Sequence, residues 1–285
     1  MYTVALLGML MTAAEQSTLV RVQPRHVVLI CGDKAENGFP EFWCDTARMY
    51  NLFRCTGVPD ANIYVLYGDG KDWKCPANSA HNYPSNITDF AATKANVTAV
   101  FTTLAKKVGR SDKLIVWTFD HGANDGSLCL LDGTMSPPTM AKLVGAIHCQ
   151  AKVFLMQQCF SGDFIKPLTA GNRNTVVLTA AAHTPAYPAN DSWENNSPCR
   201  TGEFNYYLMN ALDRRSPGGA CLDVCDVNRD GLTSCIELKY NVFRGDGQPN
   251  PHGEGTLDGC AGMNTASTPQ YHSPGAALDG LSLTK

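Results

Sequence analysis

The chain has 285 residues, 44% hydrophobic and 17% charged, with a formal net charge of -3 at pH 7. That length supports one sizeable core with at most a small appendage. The small net charge supplies no field favouring nucleic acid or an anionic membrane surface, so no nucleic-acid partner is expected and function has to be read from sites.

Residues 1–25 read as a signal peptide and leader. Met1 to Ala14 is an apolar run ending in small residues, with a cleavage point after Ala14, and it is too short for a stable membrane anchor. The 12 cysteines and the Asn-X-Ser/Thr sequons at Asn86, Asn96, Asn190 and Asn195 agree with an exported glycoprotein. In an oxidising compartment most of Cys31, Cys44, Cys55, Cys75, Cys129, Cys149, Cys199, Cys221, Cys225, Cys235 and Cys260 are expected to pair, with the connectivity open. The expected location is secreted or endolysosomal/vacuolar.

His26 to Gly32 is a β-branched first strand bounded by Gly-Asp, and a helix follows from Pro40 to Cys55, with proline at its start and Phe42, Ala47, Tyr50, Leu52 and Phe53 for a buried stripe. Ile63 to Tyr67 makes the second strand. Gly68 to Asp89 is a long polar loop, a helix returns from Thr93, and Leu114 to Phe119 is a fully apolar strand of the kind covered on both faces. Leu128 to Thr134 suggests a small hairpin, Met140 to Cys149 a helix, Val153 to Met156 and Thr175 to Ala180 two more strands, and Glu203 to Arg214 another helix. Strands alternating with helices predict an α/β fold with right-handed crossovers and a mainly parallel sheet, in which ligands sit beyond the carboxyl ends of the strands.

Two of these strands deliver reactive groups to that edge. One ends on Asp120-His121-Gly122, the other on Gln157-Gln158-Cys159-Phe160-Ser161-Gly162. A thiol needs an imidazole nearby to act as a nucleophile near neutral pH, and the backbone N–H groups of Gly122 and Cys159 are candidates to receive the oxyanion.

These residues resemble the clan of cysteine peptidases that holds legumains, caspases, metacaspases and gingipains, and most of all the legumain-like family C13. The strand His26 to Ile30, the helix containing Asp45, the run Asn51 to Tyr67 and Phe119-Asp120-His121-Gly122 follow legumain order over roughly residues 26–215. The resemblance implies a caspase-like αβα sandwich, a His121/Cys159 dyad, and hydrolysis of protein or peptide substrates through an acyl-enzyme, with no cofactor required for the chemistry. The Arg-His pair that legumains carry before the helix aspartate is here Glu41-Phe42, the acidic residue after the cysteine is Phe160, and Gly202-Glu203 matches a pocket-lining Gly-Asp. Glu41, Asp163 and Glu203 are therefore expected to form an acidic pocket for a basic substrate residue. An inactive calcium-binding relative, or a transamidase or peptide ligase on the same scaffold, is the alternative.

Residues 216–285 form a C-terminal segment. Within it Asp226 to Glu237 matches the EF-hand loop, with Asp226, Asn228 and Asp230 at positions one, three and five, Gly231 at six, the Leu232 carbonyl at seven, Ser234 at nine and Glu237 at twelve. A bound Ca2+ acting as a structural clamp is expected, followed by a helix from Glu237 to Val242. Beyond Gly245 only Leu281 to Leu283 is a candidate strand.

Overall fold

The computed structural model describes residues 23–34, 39–74, 84–186, 201–214, 225–245 and 269–284. The proposed leader up to residue 22, the sequons at Asn190 and Asn195, and Cys75, Cys199, Cys221 and Cys260 lie outside the described residues.

Six strands form one sheet in the order β2-β1-β3-β6-β7-β8, and β4 and β5 form a separate hairpin. The strands are β1 (Arg25–Cys31), β2 (Ile63–Tyr67), β3 (Lys113–Thr118), β4 (Leu128–Leu130), β5 (Gly133–Met135), β6 (Ala151–Met156), β7 (Thr175–Thr179) and β8 (Gln270–His272). The helices are α1 (Pro40–Cys55), α2 (Lys94–Lys107), α3 (Pro137–Gly145), α4 (Ile165–Thr169), α5 (Glu203–Asp213), α6 (Cys235–Gly245) and α7 (Ala276–Asp279). Every pairing in the main sheet is parallel except β7 with β8.

Alternation along β1 sends Val27, Leu29 and Cys31 to one core and Val28 and Ile30 to the other. The first core is completed by α1, α5 and α6, with Trp43, Phe53, Leu208 and Leu238. The second is completed by α2, α3 and α4, with Phe101, Leu104, Met140 and Leu168. This is the expected αβα sandwich, and burial on both faces explains why these strands read as unbroken apolar runs. Leu281 and Leu283 belong to the first core, so the C-terminal segment shares the interior of the sheet domain.

α1 begins at Pro40, where the missing N–H costs nothing. The Thr93 hydroxyl accepts from the Asn96 N–H to cap α2. α3 starts earlier than its apolar spacing suggests, because Ser136 caps it and the prolines of Pro137-Pro138 occupy its first turn. Leu281 to Leu283 forms no strand: it is reduced to an isolated bridge between Ser234 and Ser282. The expectation that most thiols pair does not hold for the described residues, where Cys31, Cys55, Cys129, Cys149 and Cys235 are free, while Cys44 is disulfide-bonded. Among the described residues no helix is long and apolar enough to cross a membrane.

Candidate active site

The chain leaves β1 for β2 on one side of the sheet and then crosses to β3 on the other, so the strand order reverses between β1 and β3. Open α/β sheets place ligands at the carboxyl end of such a reversal. Asp33 follows β1 there, His121 follows β3, and Cys159 follows β6.

β3 and β6 pair in register, Thr118 with Met156, and the Gln157 N–H donates to the Thr118 carbonyl at 2.9 Å. The two chains therefore leave the sheet in step. At Gly122 a Cβ would lie 1.9 Å from the Cys159 carbonyl oxygen and 3.1 Å from its Cα, so only glycine allows the His121 and Cys159 backbones to run this close. Both residues line one cleft of about 380 Å3 with Phe39, Glu41, Phe42 and Gln157.

Each side chain has its own support. The Cys159 thiol lies 3.3 Å from the Ala186 N–H nitrogen and 3.4 Å from the Ala186 carbonyl oxygen. The imidazole of His121 stands edge-on to Phe39 and Phe42, with centroids 4.8 and 5.4 Å away, and its Nε2 is 3.8 Å from Asp33 Oδ2. The two side chains share the cleft without a direct hydrogen bond, an arrangement common before substrate tightens a site. The Phe160 N–H is taken by the Thr184 carbonyl, whereas those of Gly122 and Cys159 have no acceptor among the described residues.

The turn after the nucleophile is specific to its sequence. Phe160 adopts φ 57, a left-handed conformation costly for a bulky side chain. Ser161 then bonds the backbone of Ala181 through both its donor and acceptor capacity, and a Cβ on Gly162 would meet Ala182 at 2.7 Å. The Ser-Gly pair thus docks the nucleophile turn onto the chain leaving β7.

Asp120 is buried beneath the site. One of its carboxylate oxygens accepts from the His121 N–H and the other from the Asp33 N–H at 2.6 Å. Burial raises its pKa from 3.8 to about 7, against the opposing effect of these N–H donors. Behind the cleft, Asp45 accepts from the Gly202 N–H at 2.9 Å and the Asn205 amide at 2.8 Å, and burial pushes its carboxyl well up. Asn205 accepts from the Trp117 indole at 2.9 Å and donates its N–H to Gln157, so this network holds the cleft wall.

The three expected pocket acids do not share a place. Glu41 is buried and lines the cleft. Asp163 instead points at His183, 2.7 Å from its Nδ1, and packs where a Cβ on Gly126 would clash. The side chain of Glu203 lies outside the described residues. Asp33, by contrast, was not singled out by its sequence, where Gly32-Asp33 reads as a strand terminator.

The loop Asp226 to Glu237 turns through left-handed residues at Arg229 and Gly231, with φ of 58 and 80. Asp226 and Glu237 are buried, and their carboxylates accept from the loop's own backbone: Asp226 from Asp230 and Gly231, Glu237 from Val227, Asn228 and Ser234. Asp226 also pairs with Arg214 at 3.0 Å. The Asn228 amide donates to Asp230, and the Ser234 hydroxyl donates to Glu237. Among the described residues Asp33, Asp120 and His121 bring possible metal-ligating atoms within 4.8 Å of one another, beside the site rather than in this loop.

An αβα sandwich with a thiol and an imidazole on adjacent strand ends defines a caspase-like cysteine peptidase fold. The Peptidase C13 family model matches residues 25–222, and the chain belongs to that family. No curated protein matches the chain.

Proposed function

We propose that the protein is a cysteine endopeptidase in which Cys159 is the nucleophile and His121 its base. The observation that carries this is the contact of Gly122 with the Cys159 backbone, which brings both side chains to one cleft. The Cys159 Sγ attacks the scissile carbonyl while His121 takes the thiol proton. The open N–H groups of Gly122 and Cys159 receive the oxyanion. His121 then protonates the leaving amine, and water activated by the same imidazole hydrolyses the thioester, releasing the acid and restoring the thiol.

The cleft wall favours a basic residue before the scissile bond. Glu41 supplies a buried carboxylate there, while Phe39 and Phe42 cover the aliphatic stem of an Arg or Lys side chain. Asp163 contributes nothing to this pocket, since its carboxylate is engaged by His183. Hydrolysis of Arg, Lys, Asn and Asp reporter peptides tests both parts. Cys159→Ala is expected to reduce turnover to background, and Arg and Lys reporters to be preferred. Unchanged turnover would refute the nucleophile, and a preference for Asn would refute the acidic pocket.

The Asp226 to Glu237 loop is proposed as a structural Ca2+ site. Its residue pattern supports this, with oxygens from Asp226, Asn228, Asp230, Leu232, Ser234 and Glu237 available once Arg214 gives up Asp226. Its exit is tied to the C-terminal strap, where the Cys235 N–H donates to the Leu281 carbonyl and the Leu283 N–H to the Thr233 carbonyl. Calcium there would stabilise the fold and take no part in the chemistry.

A further inference from the structure

We infer that Asp163 and His183 are positioning residues: their pair latches the chain leaving β7 to the turn after Cys159, and so fixes Ala186 against the thiol. The inference deepens the peptidase reading and rests on it.

Asp163 follows the nucleophile on the turn Ser161–Phe164, and its Oδ2 accepts from His183 Nδ1 at 2.7 Å. It has no room to recede from that partner. A Cβ on Gly126 would fall 2.7 Å from the Asp163 Cβ, so Asp163 is packed against the turn that follows His121-Gly122. That turn is itself closed, by the Gly126 N–H on the Ala123 carbonyl at 2.9 Å and the Ala123 N–H on the Ser127 carbonyl at 2.8 Å. On its other side the His183 ring lies against the ring of Phe160, centroids 5.3 Å apart. One carboxylate therefore bears on all the loops that carry the site, after β3, after β6 and after β7.

What the latch holds is the wall beside the sulfur. The Phe160 N–H donates to the Thr184 carbonyl at 2.8 Å and the Gly162 N–H to the Ala182 carbonyl at 3.3 Å, and a little further on Ala186 brings its N–H nitrogen to 3.3 Å from Cys159 Sγ and lines the cleft. Those backbone bonds join the segment to the nucleophile turn alone. The Asp163–His183 pair adds the turn after His121 to the same body, so the wall, the thiol and the base move together. The two side chains are 32% and 64% exposed, so solvent screening leaves the pair little weight in stability. Its weight is in geometry, where a misplacement of about 1 Å can cost about 100-fold in rate. A carboxylate-backed imidazole could also act as a base, but His183 packs on Phe160 and is not among the residues lining the cleft, so it positions rather than reacts.

The test is a double-mutant cycle in the full chain with Asp163→Ala, His183→Ala and both together, and with His183→Asn, whose side-chain amide keeps a donor where Nδ1 stands. Each single alanine variant is expected to lower kcat/KM about 10-fold, the double variant to lose no more than about threefold beyond either, and His183→Asn to return to within about threefold of the parent. Melting temperatures should stay within about 3 °C throughout, as for an exposed pair. Should Asp163→Ala fail to fold, the more exposed His183→Ala and His183→Asn carry the measurement. Single losses under about twofold, fully additive losses of about 100-fold in the double variant, or no recovery in His183→Asn overturn the inference.

A second readout separates this from failure of the peptidase reading. Alkylation of Cys159 by iodoacetamide, followed on the Cys159 peptide by mass spectrometry, needs no substrate. An N–H donor beside the sulfur favours its thiolate, so loosening Ala186 is expected to slow alkylation in Asp163→Ala and His183→Ala and not in His183→Asn. If the parent protein hydrolyses no peptide yet shows this pattern, the peptidase reading fails and the latch stands. If hydrolysis depends on Cys159 while both hydrolysis and alkylation are indifferent to Asp163 and His183, the inference fails alone.

Discussion

At the amino end of the central sheet, β1 and β3 begin with Arg25 and Lys113, both buried. Arg25 donates to the Thr56 hydroxyl, the Thr56 carbonyl and, at 2.7 Å, the Leu283 carbonyl, and Lys113 donates to the Ser282 carbonyl at 3.0 Å. At the carboxyl end the same two strands run out into Asp33 and His121, and His121 is 49% exposed and meets its carboxylate at only 3.8 Å. One end closes buried cations onto the carbonyls of a C-terminal strap. The other keeps N–H groups open at Gly122 and Cys159, a strained Phe160 and a carboxyl at Asp120 with a raised pKa. The contrast is between polar groups satisfied to hold the chain and polar groups left available for a reacting molecule.

The largest effect expected at the reactive end comes from one methyl group. Gly122→Ala places a Cβ 1.9 Å from the Cys159 carbonyl oxygen, so the two strand ends must separate. The loss in kcat/KM is expected to be about 100-fold or more. Gly145→Ala is the matched control, since a Cβ there meets nothing within 4 Å. Equal activity in the two variants would dissolve the claim that backbone contact assembles the site.

The same end should also make stability depend on pH. The folded Asp120 carboxyl titrates at about 7 against 3.8 for the free side chain, so between those values the folded chain holds a proton that the unfolded chain has released. Its contribution is fully present below about pH 4, is lost as pH rises through about 7, and amounts to up to about 4 kcal/mol. Urea denaturation of the parent at a series of pH values should show this fall. Asp120→Asn, neutral at every pH as the protonated carboxyl is, should remove that slope and stand closest to the parent at low pH, and a slope unchanged by the substitution would place its origin elsewhere.

Much of this was legible in the amino-acid order, for identifiable reasons. α1 and β2 fall where proline and apolar spacing place them, because each is decided by local pattern. His121 and Cys159 were found because each directly ends an apolar strand. Asp33 was not, because its approach to His121 depends on β1 lying beside β3, a fact of strand order rather than of spacing. Asp163 was assigned to the pocket by its closeness in sequence to Cys159, yet the single turn Ser161–Phe164 carries it to His183, after β7. β8 escaped notice because three residues in a Gly- and Pro-rich tail carry no period, and its place is set by the open edge of β7.

The amino end predicts the opposite pattern from Gly122. Arg25→Met removes the donors to Thr56 and Leu283 and leaves buried carbonyls unsatisfied, a cost of about 2–3 kcal/mol in unfolding free energy. Activity measured well below the melting temperature should stay within about twofold. A large loss of kcat at preserved folding would mean that the two ends communicate, contrary to the division drawn above.

The smallest effect tests the calcium loop at that same end. Arg214 lies 3.0 Å from Asp226, the first oxygen donor of the loop, and its guanidinium occupies a carboxylate that a cation needs. The Arg214 side chain is 31% exposed, so its attraction for Asp226 is modest, on the order of 1 kcal/mol. Removing it in Arg214→Ala should tighten Ca2+ binding by up to about fivefold in calorimetric titration. Calcium should also raise the melting temperature, because the loop is bonded to the strap that Arg25 and Lys113 hold. Weaker binding in Arg214→Ala would show that the arginine organises the loop rather than competes for it. A calcium response in kcat without one in melting temperature would move the loop from the holding end of the molecule to the reactive one.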